Sequence, residues 1–221
     1  GLVVPGAHDG MAAFTGDNGQ VILVCNHELG PSRRDMSAFG TYRGSAFRDL
    51  PAEAYDAGKG RTPGPGGTTT TVWDPASGVT VRQHLSLSGT EINCAGGATP
   101  WGSWLSCEEC FENPGVRNDK RIKTTREKRH GYVFEVPASA EGPVQAQPIT
   151  EMGRFAHEAC AVHEATGIVY MTEDQHSSLF YRYVPNVAGN LLAGGRLQAL
   201  AIVDQPSMRT HNLSLIHISE P

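Results

Sequence analysis

Short runs of apolar residues alternate along the chain with clusters of Gly, Pro, Asn and Asp. Residues 11–14 and 21–25 flank the turn Gly16-Asp17-Asn18-Gly19, and residues 68–73 and 79–87 flank Asp74-Pro75-Ala76-Ser77-Gly78. A run at 103–107 follows a Gly/Pro turn at 96–102. Pairs at 130–136 and 144–149, at 159–163 and 168–172, and at 178–184 and 197–203 complete the series. Runs of this length bounded by turn residues predict strands joined in hairpins. No segment carries a sustained 3.6-residue apolar period, so helix content is expected to be low. Two stretches interrupt the pattern, 30–67 and the charged 113–129, and both are expected to be solvated loops.

Aligning the hairpins reveals a repeat. The first opens with His8-Asp9-Gly10 and closes with Asn26-His27-Glu28; the second opens with Asn93-Cys94-Ala95 and closes with Cys107-Glu108-Glu109. The third opens with His157-Glu158-Ala159 and closes with Thr172-Glu173-Asp174. Each unit begins with a polar residue, a metal-ligand type and a small residue. Each ends an apolar strand on ionisable residues, and the separations Asp9 to Glu28, Cys94 to Glu109 and Glu158 to Asp174 are similar. An outer pair of strands follows each hairpin. Four strands per repeat is the pattern of β-propeller blades, whose innermost strands face a central channel. The expected fold is all-β, with about three four-stranded blades at residues 1–212, roughly half a ring.

Composition sharpens this picture. The 221 residues include 26 glycines and 14 prolines, and only 7% aromatics. That balance disfavours a helical bundle and fits many hairpin turns. The net charge of −5 gives no reason to expect nucleic acid as a partner, and no apolar run reaches membrane-spanning length. Five cysteines form no disulfide pattern. The lone C-x-x-C of Cys107 and Cys110 lacks a second pair at zinc-finger spacing, while Cys25, Cys107 and Cys160 lie in apolar runs and read as core. Residues 213–221 match nothing earlier in the chain. One way of back-translating them looks like a transposon-end sequencing adapter read in frame, so this tail is expected to be non-native.

Acidic residues repeated at equivalent strand ends carry chemistry. Clustered carboxylates repel one another, and holding them together without cations costs several kcal/mol each. Oxygen donors suit calcium, and a thiolate among carboxylates also suits a transition metal such as iron. Cys94 aligns with Asp9 and Glu158, which favours a ligand role. His8, His27 and His157 each sit beside an acid and are read first as partners of the ligands. Arg154 is read either as a phosphate clamp or as an exposed strand-end charge.

The run NCAGGATPWGSWLSCEE, from Asn93 to Glu109, closely resembles the signature of the PhoX-type alkaline phosphatases. Supporting matches are GTTTTVWD at 67–74, GYVFEV at 131–136, the RFAHEA and YMTED segments within 153–174, and LFYRYVP at 179–185. Together they span nearly all of residues 6–205. The resemblance implies a six-bladed propeller that hydrolyses phosphate monoesters at a channel-mouth site holding ferric and calcium ions. It implies export by the twin-arginine route to the periplasm or beyond. Carried onto this chain, Cys94 is an iron ligand and Glu109 and Glu158 are metal ligands. Glu28, Glu173, Asp174 and Asp9 are candidates for the remaining metal contacts. The later blades of the family supply further ligands and a phosphate-contacting arginine.

The reaction implied is metal-assisted phosphoryl transfer, in which cations neutralise the phosphate oxygens and carboxylates hold the cations. Its partner is a small phosphate monoester, with neither nucleic acid nor membrane, and the full-length protein is expected to be a monomer. The chain as given is expected to bind metal weakly and to turn over little. Two rivals stand beside this reading: a calcium-dependent propeller hydrolase of lactonase or phytase type, and a non-catalytic secreted calcium-binding propeller. Cys94 discriminates, since calcium alone has no use for a thiolate.

Overall fold

The computed structural model describes residues 2–40, 50–119 and 122–201. Its first sheet is an antiparallel meander of β1 (His8–Thr15), β2 (Val21–His27), β3 (Gly66–Asp74) and β4 (Val79–Thr90). The second sheet pairs β5 (Asn93–Ala98), β6 (Ser103–Glu108) and β9 (Val133–Pro137). A separate hairpin, β7 (Gly115–Asp119) with β8 (Ile122–Arg126), is inserted before β9. The last sheet is again a meander, of β10 (His157–Val162), β11 (Val169–Glu173), β12 (Phe180–Pro185) and β13 (Gly195–Ala199). Strand β5 packs against both β1 and β10, so the innermost strands of the three sheets stand side by side. This is a partial β-propeller of about three blades.

Alternation along β6 explains where the core sits. Trp104 joins Val24, Leu87, Phe134 and Val136 in a cluster between the first and second blades. The next residue, Leu105, points the other way and joins Val133, Cys160, Val169, Met171 and Tyr183 between the second and third. Every residue of β6 is therefore buried, whereas β11 alternates between buried and partly exposed positions. A strand with cores on both faces cannot show the polar alternation of a half-buried one.

The predicted hairpins are present, with one departure in the second blade. Residues 144–149 do not form a strand; only Pro148 bridges to Phe134. Pro143 and Pro148 lack N–H donors, and Val144 donates its N–H to Ser86 O of the first blade instead. The insertions also differ from the expected solvated loops. Phe39, Tyr55, Asp56 and Thr62 are buried in the first and Arg126 in the second. Thr62 carries much of the junction: its Oγ1 accepts the N–H of Thr125, and its carbonyl accepts from Arg126 Nη1. The end of the predicted 197–203 run and the tail at 213–221 lie outside the described residues.

Because Leu105 is fully buried, Leu105→Ala is expected to destabilise the chain by about 2–5 kcal/mol in urea unfolding. Leu179→Ala, at a side chain 49% exposed, should stay within about 0.5 kcal/mol. Equal effects would contradict the two-core arrangement.

Candidate metal centre

The hairpin repeat becomes a geometric repeat in the strand registers. In the first blade His8 pairs with His27 and Met11 with Cys25, so Asp9 and Gly10 together oppose the single residue Asn26. In the second, Cys94 and Ala95 oppose Cys107; in the third, Glu158 and Ala159 oppose Thr172. Each is a β-bulge, a device that re-aims the side chain of the extra residue. Backbone bonds repeat as well: the N–H groups of Glu28, Glu109 and Asp174 donate to the carbonyls of Ala7, Ile92 and Ala156.

Two of the bulges bring ligand atoms together. The thiol sulfur of Cys94, a carboxylate oxygen of Glu109 and one of Glu158 all lie within 4.8 Å of one another, each side chain partly buried. Cys94 Sγ donates to Glu158 Oε1 at 3.5 Å. Burial pushes the Cys94 thiol pKa well up, and the negative charges of Asp9, Glu109 and Glu158 push the same way. Burial, followed by a hydrogen bond with Asp174 and the charges of Glu158 and Asp174, raises Glu109 to about 7. The donor set fits a transition ion, because a thiolate with two carboxylates is a mixed soft and hard environment. Among the described residues, no Lys, Arg or His forms an ion pair with these acids.

The other candidates are placed differently. Asp174 bonds to Glu109, and Asp9 lies near enough to act on the Cys94 thiol, so both flank the cluster. Glu28 instead pairs with Arg33 at 3.7 Å. Glu173 turns toward β12, where it accepts hydrogen bonds from Tyr181 Oη and Leu179 N. Arg154 is engaged in packing: it donates to His130 O, Glu112 O and Asn113 Oδ1, and lies over the Phe111 ring. The His27 ring spans Gly6 O and Thr69 Oγ1, and it meets the His8 ring edge-on. His157 bonds to Phe155 O and stacks on the Phe155 ring.

Sequence reasoning missed the residue just before Glu109. Strand alternation turns Glu108 into the protein, where it is fully buried. Its carboxylate accepts from the N–H groups of Glu91, Gly131 and Tyr132 and bonds to His130 Nδ1 at 2.7 Å. His130 Nε2 reaches Asp56 Oδ2 at 3.2 Å, and Asp56 also accepts the N–H groups of Gly58, Glu127 and Lys128. Arg126 forms a buried ion pair with Glu91. Two adjacent acids ending one apolar strand were the available signal, since alternation sends their side chains to opposite faces.

Comparisons with known proteins identify the family and the fold. The model of the family "Alkaline phosphatase PhoX" matches residues 61–220. The chain belongs to the PhoX alkaline phosphatase family. Its fold is similar to that of Pseudomonas fluorescens PhoX, solved in complex with vanadate, a transition state analogue. The TM-score is 0.53 and the identity 21%, over 88% of this chain and 45% of that one. The chain thus spans less than half the length of that PhoX. No curated protein matches it. No helix among the described residues is long and apolar enough to cross a membrane.

The His130 network makes stability depend on pH in a defined direction. Burial opposes the charged ring, but the Glu108 charge and the hydrogen bonds to Asp56 and Glu108 outweigh it, raising His130 from 6.5 to about 9. Its contribution is complete below 6.5 and lost as pH rises through about 9. Burial likewise opposes the Asp56 carboxylate, yet the hydrogen bond to His130 and the backbone N–H donors lower it from 3.8 to about 2. That contribution is present above 3.8 and lost as pH falls through about 2. Melting temperature of the chelator-treated chain should therefore fall between pH 6.5 and 9, and His130→Gln should flatten that limb. An unchanged alkaline limb in the variant would refute the charged assignment.

Proposed function

We propose that this chain is part of a metal-dependent phosphatase that hydrolyses phosphate monoesters at an iron- and calcium-holding site at the propeller hub. The observation carrying the reading is the meeting of Cys94, Glu109 and Glu158 from adjacent blades. Family membership supplies the reaction class, and the uncompensated acids supply the reason for a cation. Cys94, Glu109 and Glu158 would hold the iron. Asp9 and Asp174, at the margin of the cluster, would turn oxygen donors toward calcium. Bound cations would supply neutralisation of the phosphate oxygens and activation of an oxygen nucleophile.

The chain's own contribution is to hold and orient. Bulges aim the ligand residues at positions 94 and 158, and backbone bonds from Glu109 and Asp174 fix the facing strand ends. Carboxylates committed to metal are not available as general acid or base, so this part of the site is a scaffold for charge. The remaining ligands and the phosphate-binding cation would come from outside these three blades. Arg154 would brace the ends of the 113–129 insertion, where three of its five N–H groups already donate. Family membership supports a full-length protein that works in the periplasm or outside the cell.

In a full-length homologue, Cys94→Ala and Glu158→Ala at the matching positions should each lower phosphatase activity by at least about 100-fold. Bound iron should fall in parallel, since even outer partners of metal ligands cost 10–100-fold. Unchanged metal content and rate would sink the assignment. Assays on p-nitrophenyl phosphate and on a lactone separate this reading from a calcium-dependent lactonase.

A further inference from the structure

A bulge leaves carbonyl groups out of its own ladder, and at the second-blade bulge those groups are bound from the neighbouring blade. Asn26, fully buried at the end of β2, donates through Nδ2 to both Cys94 O and Ala95 O at 2.8 Å. Its Oδ1 accepts from Trp104 Nε1 at 2.9 Å and from Ser106 Oγ at 2.8 Å. Ser106 Oγ in turn accepts from Asn93 Nδ2, and Asn93 Oδ1 accepts from Thr90 Oγ1. All four hydrogen-bonding sites of the Asn26 amide are filled: both N–H groups donate and both carbonyl lone pairs accept.

The equivalent positions show that this is specific to the bulge carrying the thiol. Asn26, Cys107 and Thr172 all stand opposite a bulge. Thr172 bonds only the bulge of its own hairpin, through Ala159 N and Ala159 O. Cys107 packs in the apolar cluster with Cys160. Among the described residues, Asn26 is the one that reaches into the bulge of the next blade with two donors. Close approach is built in on the same side: a Cβ on Gly10 would stand 2.7 Å from Ala95 Cα.

We infer that Asn26 is a positioning residue, whose amide fixes the backbone of Cys94 and so the direction from which its sulfur enters the metal cluster. The inference rests on the proposed reading of Cys94 as a metal ligand. A buried amide that merely joins two blades would affect stability and leave the sulfur's behaviour alone. Positioning instead predicts a change at Cys94 itself.

Cobalt(II) is the probe, because a thiolate ligand gives it a charge-transfer band. Asn26→Asp keeps the shape and the acceptor for Trp104 and Ser106 while removing both donors. It should weaken cobalt binding by about 10- to 100-fold and diminish the band. Leu105→Ala, destabilising at the other core, serves as the control and should keep parental cobalt affinity. Retention of full affinity and band in a folded Asn26→Asp chain would overturn the inference. If the parent binds no cobalt, the metal reading fails separately, and iodoacetamide labelling of Cys94 decides on Asn26. The labelling rate should rise several-fold in Asn26→Asp, and an unchanged rate would overturn the inference. Should that variant not fold, hydrogen exchange of the parent decides. Protected Asn26 side-chain amide protons are required, and exchange as fast as at an exposed Asn would refute the clamp.

Discussion

Neighbouring blades of this chain meet backbone to backbone at the hub, and that close approach sets the terms for everything around it. A Cβ on Gly10 would collide with Ala95, and one on Gly97 would collide with the Cys160 carbonyl. The inner strands must therefore be small where they touch, which is why β5 reads Asn-Cys-Ala-Gly-Gly-Ala. Strands packed so tightly can carry a large or ionisable side chain only where a bulge turns it out of the contact. The bulges at 9–10, 94–95 and 158–159 do this at the same level in all three blades. Cys94 and Glu158 are brought within reach of each other by that combination rather than by their own preferences.

Two groups of acids lie back to back across β6, and their contrast is the strongest electrostatic argument for a cation. On the inner side, Glu108, Glu91 and Asp56 are matched by His130, Arg126 and backbone donors. There Asp56 is held at about 2 and His130 raised to about 9. On the hub side, Glu109 faces Asp174 and Glu158 and rises to about 7, with the Cys94 thiol also pushed up. Neighbouring residues on one strand thus belong to one compensated cluster and one uncompensated cluster. A fold that neutralises buried acids so thoroughly at Glu108 leaves the acids beside Glu109 for something other than a side chain.

Much of this was legible in the sequence because it is periodic. Hairpin spacing, the repeated ligand-type residues and the acidic strand ends all recur, and recurrence separated Cys94 and Glu158 from ordinary turn residues. What could not be read depends on partners distant in the chain. Arg126 looked like one charge among many in a polar insertion, and only its meeting with Glu91 and Thr62 buries it. Glu28 has the same local setting as Glu109 and Asp174, yet Arg33 draws it aside, and Glu173, the counterpart of Glu108, turns to Tyr181 instead. Asn26 carried no local signal at all, since its partners are backbone carbonyls of another blade. Residues 144–149 misled through their apolar content, with two prolines overriding it.

The central claim is that the hub of these blades is a mixed sulfur and oxygen metal site. X-ray absorption at the iron edge, on protein reconstituted with iron, addresses it most directly. One sulfur scatterer among oxygen neighbours, lost in Cys94→Ser, is the predicted result. Iron surrounded by oxygen and nitrogen alone, or a spectrum unaltered by Cys94→Ser, would contradict it.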